Sequence, residues 1–181
     1  MNIVLIGPQG SGKSTQGKLI SDHFGIPYIS TGDMFREIMD NSDDFALSIK
    51  EKMLAGDLID DETTNNIVRQ HLERGKYYRG FVIDGYPRSV NQSMSAPFVL
   101  DLILHIQVPE QISIERLIKR GRIDDTEVKI KRRLELYKQE TEPILKYWRK
   151  HDKVVDINGV GDVNEIHKLI HKTITKLTDG N

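Results

Sequence analysis

The sequence of 181 residues contains no cysteine. Disulfide bonds and zinc sites with thiolate ligands are therefore excluded. The sequence also lacks an excess of charge of either sign. It contains 26 Lys and Arg residues and 27 Asp and Glu residues, which gives a formal net charge of −1. A chain without a basic excess gives no sign of binding nucleic acid or a membrane surface, so we expect neither partner.

Long hydrophobic runs are also absent, because no stretch stays apolar over the roughly 20 residues that a membrane-spanning helix needs. The first residues read as a strand over 2–6 and show neither the basic segment nor the cleavage site of a leader. No repeat, low-complexity tract or long apolar stripe stands out. We therefore expect a cytoplasmic monomer that forms one domain around a normal core.

The most informative segment that is present is rich in glycine and runs from Gly7 to Ser14 with the sequence GPQGSGKS. It fits the pattern G-x-x-x-x-G-K-[ST] and lies between an apolar run and a helical pattern, which is the context of a phosphate-binding P-loop. The glycines allow a tight turn whose N–H groups point inward, beside the positive end of the next helix. We expect Lys13 to reach the β- and γ-phosphates of ATP and the Ser14 hydroxyl to face Mg²⁺. The predicted phosphate-binding residues are Gly10, Ser11, Gly12, Lys13, Ser14 and Thr15.

Short apolar runs alternate with longer helical patterns along the chain. Because the apolar runs are nearly continuous, they predict a five-stranded parallel sheet with helices on both faces, a doubly wound α/β fold. The predicted strands are 2–6, 27–29, 80–84, 100–107 and 154–157, and the predicted helices are 13–24, 32–40, 44–55, 61–75, 89–95, 109–120, 127–150 and 162–177.

Two segments fit the sheet less well. Residues 30–75 hold three helical patterns without a convincing strand, and residues 120–127 form a short charged link. Both are expected to leave the sheet as excursions, which is where lids arise in enzymes of phosphoryl transfer. The predicted core comprises residues 1–29, 76–119 and 128–181.

A second feature is the apolar run Phe81–Asp84, which ends in a carboxylate. Such a run is by itself a weak signal, because many strands end in Asp. Beside a P-loop it predicts that Asp84 holds Mg²⁺, directly or through water.

The carboxylate opens the string Asp84-Gly85-Tyr86-Pro87-Arg88, and with it the chain resembles the adenylate kinase family of nucleoside monophosphate kinases in its short-lid form. Further strings of that family follow in order over nearly the whole chain: ISTGDMFR at 29–36, KMLAGDLIDDE at 52–62, the run 116–120, RLELY at 133–137 and TEPI at 141–144. The resemblance implies that 30–75 binds a nucleoside monophosphate and that 120–127 is a very short lid.

On the acceptor side, the resemblance implies that Arg36 and Arg88 clamp the phosphate of AMP, since a planar guanidinium binds phosphate in a bidentate fork. Thr31 and Gln92 are implied to read the base, because the Gln92 amide offers a donor and an acceptor to adenine. Related pyrimidine kinases carry Asn at the position of Gln92 and a small residue at the position of Thr31, so the acceptor that we expect is AMP. The other implied AMP-binding residues are Met53, Asp57, Leu58, Ile59 and Gly85.

On the donor side, the resemblance implies that Arg116 stacks on the adenine of ATP. Gly161 is implied to offer backbone groups to the same base. Fixed cations would stabilise the charge that spreads over the transferring phosphoryl group. The implied catalytic residues are Lys13, Arg88, Arg120, Arg122 and Arg133.

Taken alone, the basic residues after position 119 could form an ordinary solvated helix face paired with Asp124, Asp125 and Glu127. Lys131 and Arg132 are assigned to solvent. The chain also lacks the long lid, with its knot of cysteines, that many members of the family carry. We hypothesise that so short a lid leaves the donor base less covered and the choice of donor broader.

The reaction that the resemblance implies is reversible transfer of a phosphoryl group from ATP·Mg²⁺ to AMP, giving two ADP. It needs no covalent intermediate, only in-line positioning, cation clamps and exclusion of water. Two alternatives remain open at this point: a kinase of UMP or CMP, and a nucleotide-gated binding protein without catalysis.

Overall fold

The computed structural model describes residues 1–75, 77–122 and 125–179. Its five strands all run parallel, in the order β2-β3-β1-β4-β5, which confirms the predicted fold class. The strands are β1 (Asn2–Ile6), β2 (Tyr28–Ser30), β3 (Phe81–Asp84), β4 (Leu102–Gln107) and β5 (Val154–Asn158).

The helices agree with the predicted ones except after residue 126. They are α1 (Lys13–Phe24), α2 (Thr31–Met39), α3 (Asp44–Ala55), α4 (Asp61–Arg74), α5 (Val90–Met94), α6 (Glu110–Arg120), α7 (Glu127–Leu136), α8 (Glu142–Arg149) and α9 (Val163–Asp179).

The predicted single helix at 127–150 is wrong in one respect, because a π-helical turn (Tyr137–Thr141) separates α7 from α8. Pro143 lies in the first turn of α8. Proline has no N–H to donate to the preceding turn, so a continuous α-helix cannot pass through it unchanged. The chain adapts by widening the turn before the proline, and such turns are frequent at functional sites.

Local sequence explains where the other helices begin and end. Gly12 and Gly25 flank α1 with left-handed φ values of 96° and 62°, which glycine adopts without strain. The side chains of Asp43 and Asp60 accept the N–H groups of Ala46 and Thr63, and so cap α3 and α4.

The core lies on both faces of the sheet because side chains alternate along each strand. From β1, Val4 and Ile6 pack with a cluster that includes Val68 and Ile144, beneath α4 and α8. Ile3 and Leu5 point the other way, into a cluster beneath α1 and α9. A sheet covered on both faces is what near-continuous apolar strands predict.

The order of the strands brings two loops to one rim of the sheet. β1 lies between β3 and β4, and the register places Leu5 opposite Asp84 and Ile6 opposite His105. The P-loop after β1 and the carboxylate that ends β3 are therefore neighbours at the carboxyl ends of the strands. In open α/β sheets, ligands bind at such a point.

The segment predicted as the first excursion contains helices α2, α3 and α4, and Phe35, Ile49 and Ile59 form a small buried cluster within it. The second predicted excursion spans 120–127, of which residues 123 and 124 lie outside the described residues. The predicted core segment 76–119 likewise starts at a residue outside them. Within the described ranges, no helix combines the length and the apolar character required to cross a membrane.

Candidate active site

A cleft of about 430 Å³ opens at the carboxyl rim of the sheet. Its walls come from the P-loop, from the excursion formed by α2, α3 and α4, and from α6 and α7. Most of the predicted site residues line it: Gly10, Gly12, Lys13, Ser14, Thr15, Arg36, Met53, Asp57, Leu58, Ile59, Asp84, Gly85, Arg88, Gln92, Arg116, Arg120, Arg122 and Arg133. Ser11, Thr31 and Gly161 are not among the lining residues.

The P-loop requires glycine at Gly10 for two reasons. Its φ is +81°, and a β-carbon there would lie 2.6 Å from the Ser113 carbonyl oxygen of α6. Lys13 curls back over the loop, where its Nζ donates to the carbonyl oxygens of Gly7 and Pro8 at 2.8 Å each. The lysine is therefore held in place before any phosphate arrives.

Electrostatics make Lys13 an unusual lysine. Burial lowers the pKa of its ammonium from 10.5 to about 8, and Arg88 and Arg120 act in the same direction, although the Asp84 carboxylate opposes them. Beside Lys13, the cations Arg88 and Arg120 thus outnumber the one anion, Asp84. A phosphate group would supply the missing negative charge.

Asp84 joins two hydroxyl groups below the P-loop. The Ser14 hydroxyl donates to its Oδ2 at 2.6 Å, and the Tyr28 hydroxyl lies 3.1 Å from the same atom. Oxygen-only ligand sets are the ones that Mg²⁺ prefers, so Ser14 and Asp84 fit this ion. Tyr28 is a residue that the sequence analysis missed, because no motif near it points to Asp84, which lies 56 positions away.

The predicted acceptor side is organised around Arg88. Its Nε donates to the Gly85 carbonyl at 2.8 Å, and its backbone N–H donates to Gln92 Oε1 at 2.7 Å. Gln92 is thus oriented by Arg88 with its side chain at the cleft wall. Burial lowers the pKa of the Arg88 guanidinium from its ordinary value.

Arg36 and Thr31 differ in their settings. Arg36 lines the cleft and forms an ion pair with Asp33, one turn earlier on α2. Thr31 is 1 % exposed, and its hydroxyl lies 3.4 Å from the Asp84 carbonyl oxygen. A β-carbon at Gly85 would approach the Thr31 hydroxyl to 2.5 Å, so Thr31 packs behind Gly85 rather than facing the cleft.

On the predicted donor side, Arg116 bonds to three backbone carbonyls. Its guanidinium donates to the Gly159 carbonyl at 3.0 Å and lies 3.4 Å from those of Gly10 and Ser11. Arg116 thereby connects the P-loop with the loop after β5, where Gly161 has a φ of +127°.

Two of the predicted catalytic arginines meet at one carboxylate. Arg120 donates to both oxygens of Asp125 at 2.8 and 2.7 Å, and Arg133 approaches the same group at 3.5 Å. Arg122 lines the cleft, and its backbone N–H lies 3.3 Å from Asp125 Oδ2. Of the acidic residues proposed as partners of a solvated face, Glu127 pairs with Lys131 on the surface, whereas Asp125 is buried with the cleft arginines. The third, Asp124, lies outside the described residues.

Arg132 is exposed to solvent, as expected, but it also forms an ion pair that the sequence analysis did not predict. Its guanidinium donates to Asp57 Oδ1 with Nε and Nη2 at 3.1 Å each, which links α7 to the loop after α3. The pairing escaped sequence reasoning because the partners lie 75 positions apart.

Other residues of the cleft wall were also missed, although some of them stand in the strings that carry the resemblance. Tyr137 and Thr141 belong to the π-helical turn, and the Thr141 hydroxyl donates to the Arg88 carbonyl at 2.9 Å. Sequence motifs and charge patterns point to charged side chains. Tyr137 and Thr141 are uncharged and reach the cleft only because the folded chain packs them against it. The unassigned lining residues are Gln9, Ser30, Gly32, Phe35, Gly56, Thr64, Leu117, Leu136, Tyr137 and Thr141.

Comparison with known proteins gives one consistent result. The family model of adenylate kinase matches residues 5–153. The adenylate kinases of Mycobacteroides abscessus and Mycolicibacterium smegmatis are each 40% identical to the chain over 173 residues, which is 92% of this chain and 94% of the relative. The adenylate kinase of a Nocardioides species is 36% identical over 185 residues, covering 96% and 97% of the two chains.

Proposed function

The chain belongs to the adenylate kinase family, and on that premise we propose that it transfers the γ-phosphoryl group of ATP reversibly to AMP, giving two ADP. One observation supports this reaction above all. Two separate sets of phosphate-binding groups, the P-loop with Lys13 and the pair Arg36 and Arg88, line the same cleft. A protein that binds a single nucleotide has no need for the second set.

In the proposed reaction, ATP lies along the P-loop with its phosphates on the backbone N–H groups and Lys13. AMP lies between α2 and α3 with its phosphate on Arg36 and Arg88. The acceptor phosphate is already an anion, so no side chain has to remove a proton from it. The work of the chain is to align two anions that repel each other in water.

Arginine side chains provide most of that alignment. The transition state of phosphoryl transfer spreads its charge over three equatorial oxygens, and fixed cations aimed at those oxygens stabilise it without reorganisation. We assign this role to Arg88, Arg120, Arg122 and Arg133, together with Lys13. The guanidinium group of Arg88 is tethered by the Gly85 carbonyl, and those of Arg120 and Arg133 are tethered by Asp125, so these three need little movement to act.

Ser14 and Asp84 would hold Mg²⁺ in this reaction. When bound, the ion neutralises part of the phosphate charge and orients the transferring group. Asp84 is buried at the end of its strand, where the hydroxyls of Ser14 and Tyr28 hold its carboxylate in place.

Base recognition is the remaining part of the proposal. Gln92 presents its amide to the acceptor base, with Met53, Leu58 and Ile59 as the apolar wall beside it. The donor base packs on Arg116 near Gly161. Thr31 contributes by supporting Gly85 from behind. We further propose that the protein acts as a monomer in the cytoplasm.

A coupled assay that records ADP from ATP plus AMP tests the function. AMP, UMP and CMP are compared as acceptors, with ATP alone as the blank. The proposal predicts ADP formation with AMP at least about 100-fold faster than with either pyrimidine, because a base lacking its hydrogen-bond partners leaves buried polar groups unpaired. ADP formation only with UMP or CMP, or none with any acceptor, would reject it.

A matched pair of variants shows whether the cleft is responsible. Arg88→Lys keeps the charge but removes the bidentate fork, and we expect about 10²-fold or greater loss of kcat/KM. Arg79→Lys makes the same change at an exposed position outside the cleft and should have no effect. Equal activities of the two variants would mean that Arg88 does not contact the substrate.

A further inference from the structure

His105 is a polar residue in the middle of an apolar strand. β4 reads Leu-Ile-Leu-His-Ile-Gln, and the histidine is buried like its apolar neighbours. An imidazole in such a place is unfavourable unless both of its nitrogens are hydrogen-bonded. Both nitrogens have partners: Nδ1 lies 2.6 Å from Asp156 Oδ1 on β5, and Nε2 lies 2.9 Å from the Tyr137 hydroxyl.

The partners determine the tautomer. Desolvation would raise the pKa of Asp156, but the hydrogen bonds from His105 and Arg149 outweigh it and hold that pKa below its usual range. Asp156 is therefore ionised and accepts a hydrogen bond from Nδ1–H of His105. Burial lowers the pKa of His105 despite Asp156, so the ring is neutral near pH 7 and its Nε2 is an acceptor. The Tyr137 hydroxyl must then donate to Nε2.

This hydrogen bond attaches the π-helical turn to the sheet. Tyr137 is the first residue of the turn, and its backbone N–H bonds to the Arg133 carbonyl on the last turn of α7. Thr141, the last residue of the turn, donates its hydroxyl to the Arg88 carbonyl at 2.9 Å. The turn therefore contacts the backbones of two arginines that line the cleft.

A π-helical turn is not a self-sufficient element. Its backbone hydrogen bonds are less favourable than those of an α-helix, so it needs support from tertiary contacts. On the sheet side, the Tyr137 ring packs in a buried cluster that includes Ile103, and its hydroxyl makes a directed hydrogen bond to His105. Asp156 orients the histidine, and Arg149 of α8 in turn bonds to both oxygens of Asp156 at 2.7 and 2.8 Å.

We propose that His105 is a positioning residue for phosphoryl transfer: it fixes the hydroxyl of Tyr137 and, through the π-helical turn, sets the positions of Arg133 and Arg88. The proposal rests on the proposed function, which places both arginines at the transferring group. His105 touches no substrate in this arrangement. Its effect should appear in the rate of the chemical step rather than in the binding of ATP.

The experiment uses the full chain and three variants. Tyr137→Phe removes the donor, His105→Leu removes the acceptor, and the double variant removes both. Tyr147→Phe is the control, because it deletes the same hydroxyl from α8 outside the cleft. For each variant, kcat and both KM values are measured well below its unfolding temperature, and hydrogen exchange is followed at the amides of residues 137–141.

The expected result is a loss of about tenfold in kcat for each single variant, with KM for ATP within about twofold of the wild type, since small displacements of reacting groups act on the transition state. The double variant should lose no more than either single one, because both break the same bond. Tyr147→Phe should match the wild type. Amide exchange at 137–141 should be faster in Tyr137→Phe and His105→Leu.

An unchanged kcat in Tyr137→Phe, with or without a lower unfolding temperature, would overturn the proposal, as would losses that multiply in the double variant. Failure of the proposed function looks different, because the wild type itself would then form no ADP. In that event the amide exchange still decides whether His105 holds the turn. Unaltered exchange in both single variants would reject that link as well.

Discussion

Arg120 and Asp125 form a bidentate ion pair in which the carboxylate of Asp125 has no exposed surface. A fully buried carboxylate is tolerated only where cations compensate it, and Arg133 contributes at 3.5 Å. The carboxylate in turn fixes the two guanidinium groups at the cleft in place. The ion pair thus supports two of the proposed catalytic arginines, Arg120 and Arg133.

Replacing Asp125 tests this support. Asp125→Asn keeps the shape of the side chain but removes its charge, so Arg120 and Arg133 repel each other without compensation. We expect kcat to fall by about 10- to 100-fold, in line with the loss of other aligned charges. Glu127→Gln, which removes an exposed carboxylate paired with Lys131, is the control and should retain its rate. A wild-type kcat in Asp125→Asn, measured by ADP formation, would show that the ion pair does not position the arginines.

Gly10 tests the fit of the P-loop against α6. In Gly10→Ala the new methyl group would collide with the Ser113 carbonyl, in addition to the strain of a φ of +81°. Gly25→Ala, at φ +62° with open space around the β-carbon, has the strain alone. Calorimetric titration should show at least about tenfold weaker ATP binding for Gly10→Ala and unchanged binding for Gly25→Ala. The free energy of unfolding of Gly25→Ala should be lower by about 1 kcal/mol, as measured by denaturant unfolding. Equal ATP affinity in the two variants would contradict the geometry described for the loop.

The pKa of Lys13 predicts how ATP binding depends on pH. The folded-state pKa is lowered to about 8, so the folded protein loses this proton before the unfolded chain, whose lysines titrate near 10.5. Two consequences follow from the sign of that shift. Between about pH 8 and 10.5 the contribution of Lys13 to the stability of the nucleotide-free protein increases. Over the same range ATP binding weakens, because the phosphates need the charged ammonium.

Titration of ATP between pH 7 and 9.5 measures the second effect. In the wild type the affinity should decline above pH 8 by up to about tenfold per pH unit, with uptake of a proton on binding. Lys13→Met should bind ATP weakly at every pH and lose this dependence. The same slope in the wild type and in Lys13→Met would assign the titration to another group.

The short link after α6 predicts a broad choice of donor. Because the link leaves little chain to cover the base, discrimination rests on Arg116 and nearby backbone groups. We expect GTP, CTP and UTP to support turnover within about tenfold of ATP, since contact with one face of a base discriminates weakly. Initial rates with AMP as acceptor and each triphosphate at saturation measure this. A strict requirement for ATP would show that the base is recognised more fully than the length of the link suggests.

Removing the exposed ion pair between Asp57 and Arg132 should have only a small effect on KM for AMP. It connects the loop after α3 with α7, but both side chains are about half exposed. Such pairs contribute about 1 kcal/mol or less and weaken with salt. Arg132→Gln should therefore change KM for AMP by less than about fivefold, and added salt should remove the difference. A salt-independent change larger than this would indicate that Arg132 contacts the nucleotide.

The sequence predicts those parts of the molecule that are determined by residues close together along the chain. The P-loop follows from glycine spacing, the strands follow from apolar runs, and the ends of α3 and α4 follow from their capping aspartates. The π-helical turn cannot be predicted in this way, because the helical spacing of apolar residues continues across it. Only the backbone hydrogen bonds before Pro143 show that the turn is wider than an α-helical one. Sequence patterns identify which residues can bind phosphate, but not which neighbours hold them in place.

The contacts that were missed join residues that are distant in sequence. Tyr28 meets Asp84 across 56 positions, Arg132 meets Asp57 across 75, and His105 meets Asp156 across 51. No local periodicity contains such pairings, since they arise from the order of the strands and, for Arg132 and Asp57, from the packing of α7 beside the loop after α3.

The account depends most on two nucleotides meeting phosphate to phosphate in one cleft, and inhibition by a bisubstrate dinucleotide tests that directly. Two adenosines joined by five phosphates should occupy both positions at once, with one molecule bound per chain. The account predicts competitive inhibition against both ATP and AMP, together with loss of tight binding in Arg88→Lys and in Lys13→Met. Inhibition that is competitive against ATP alone, with AMP still able to bind beside the inhibitor, would contradict it.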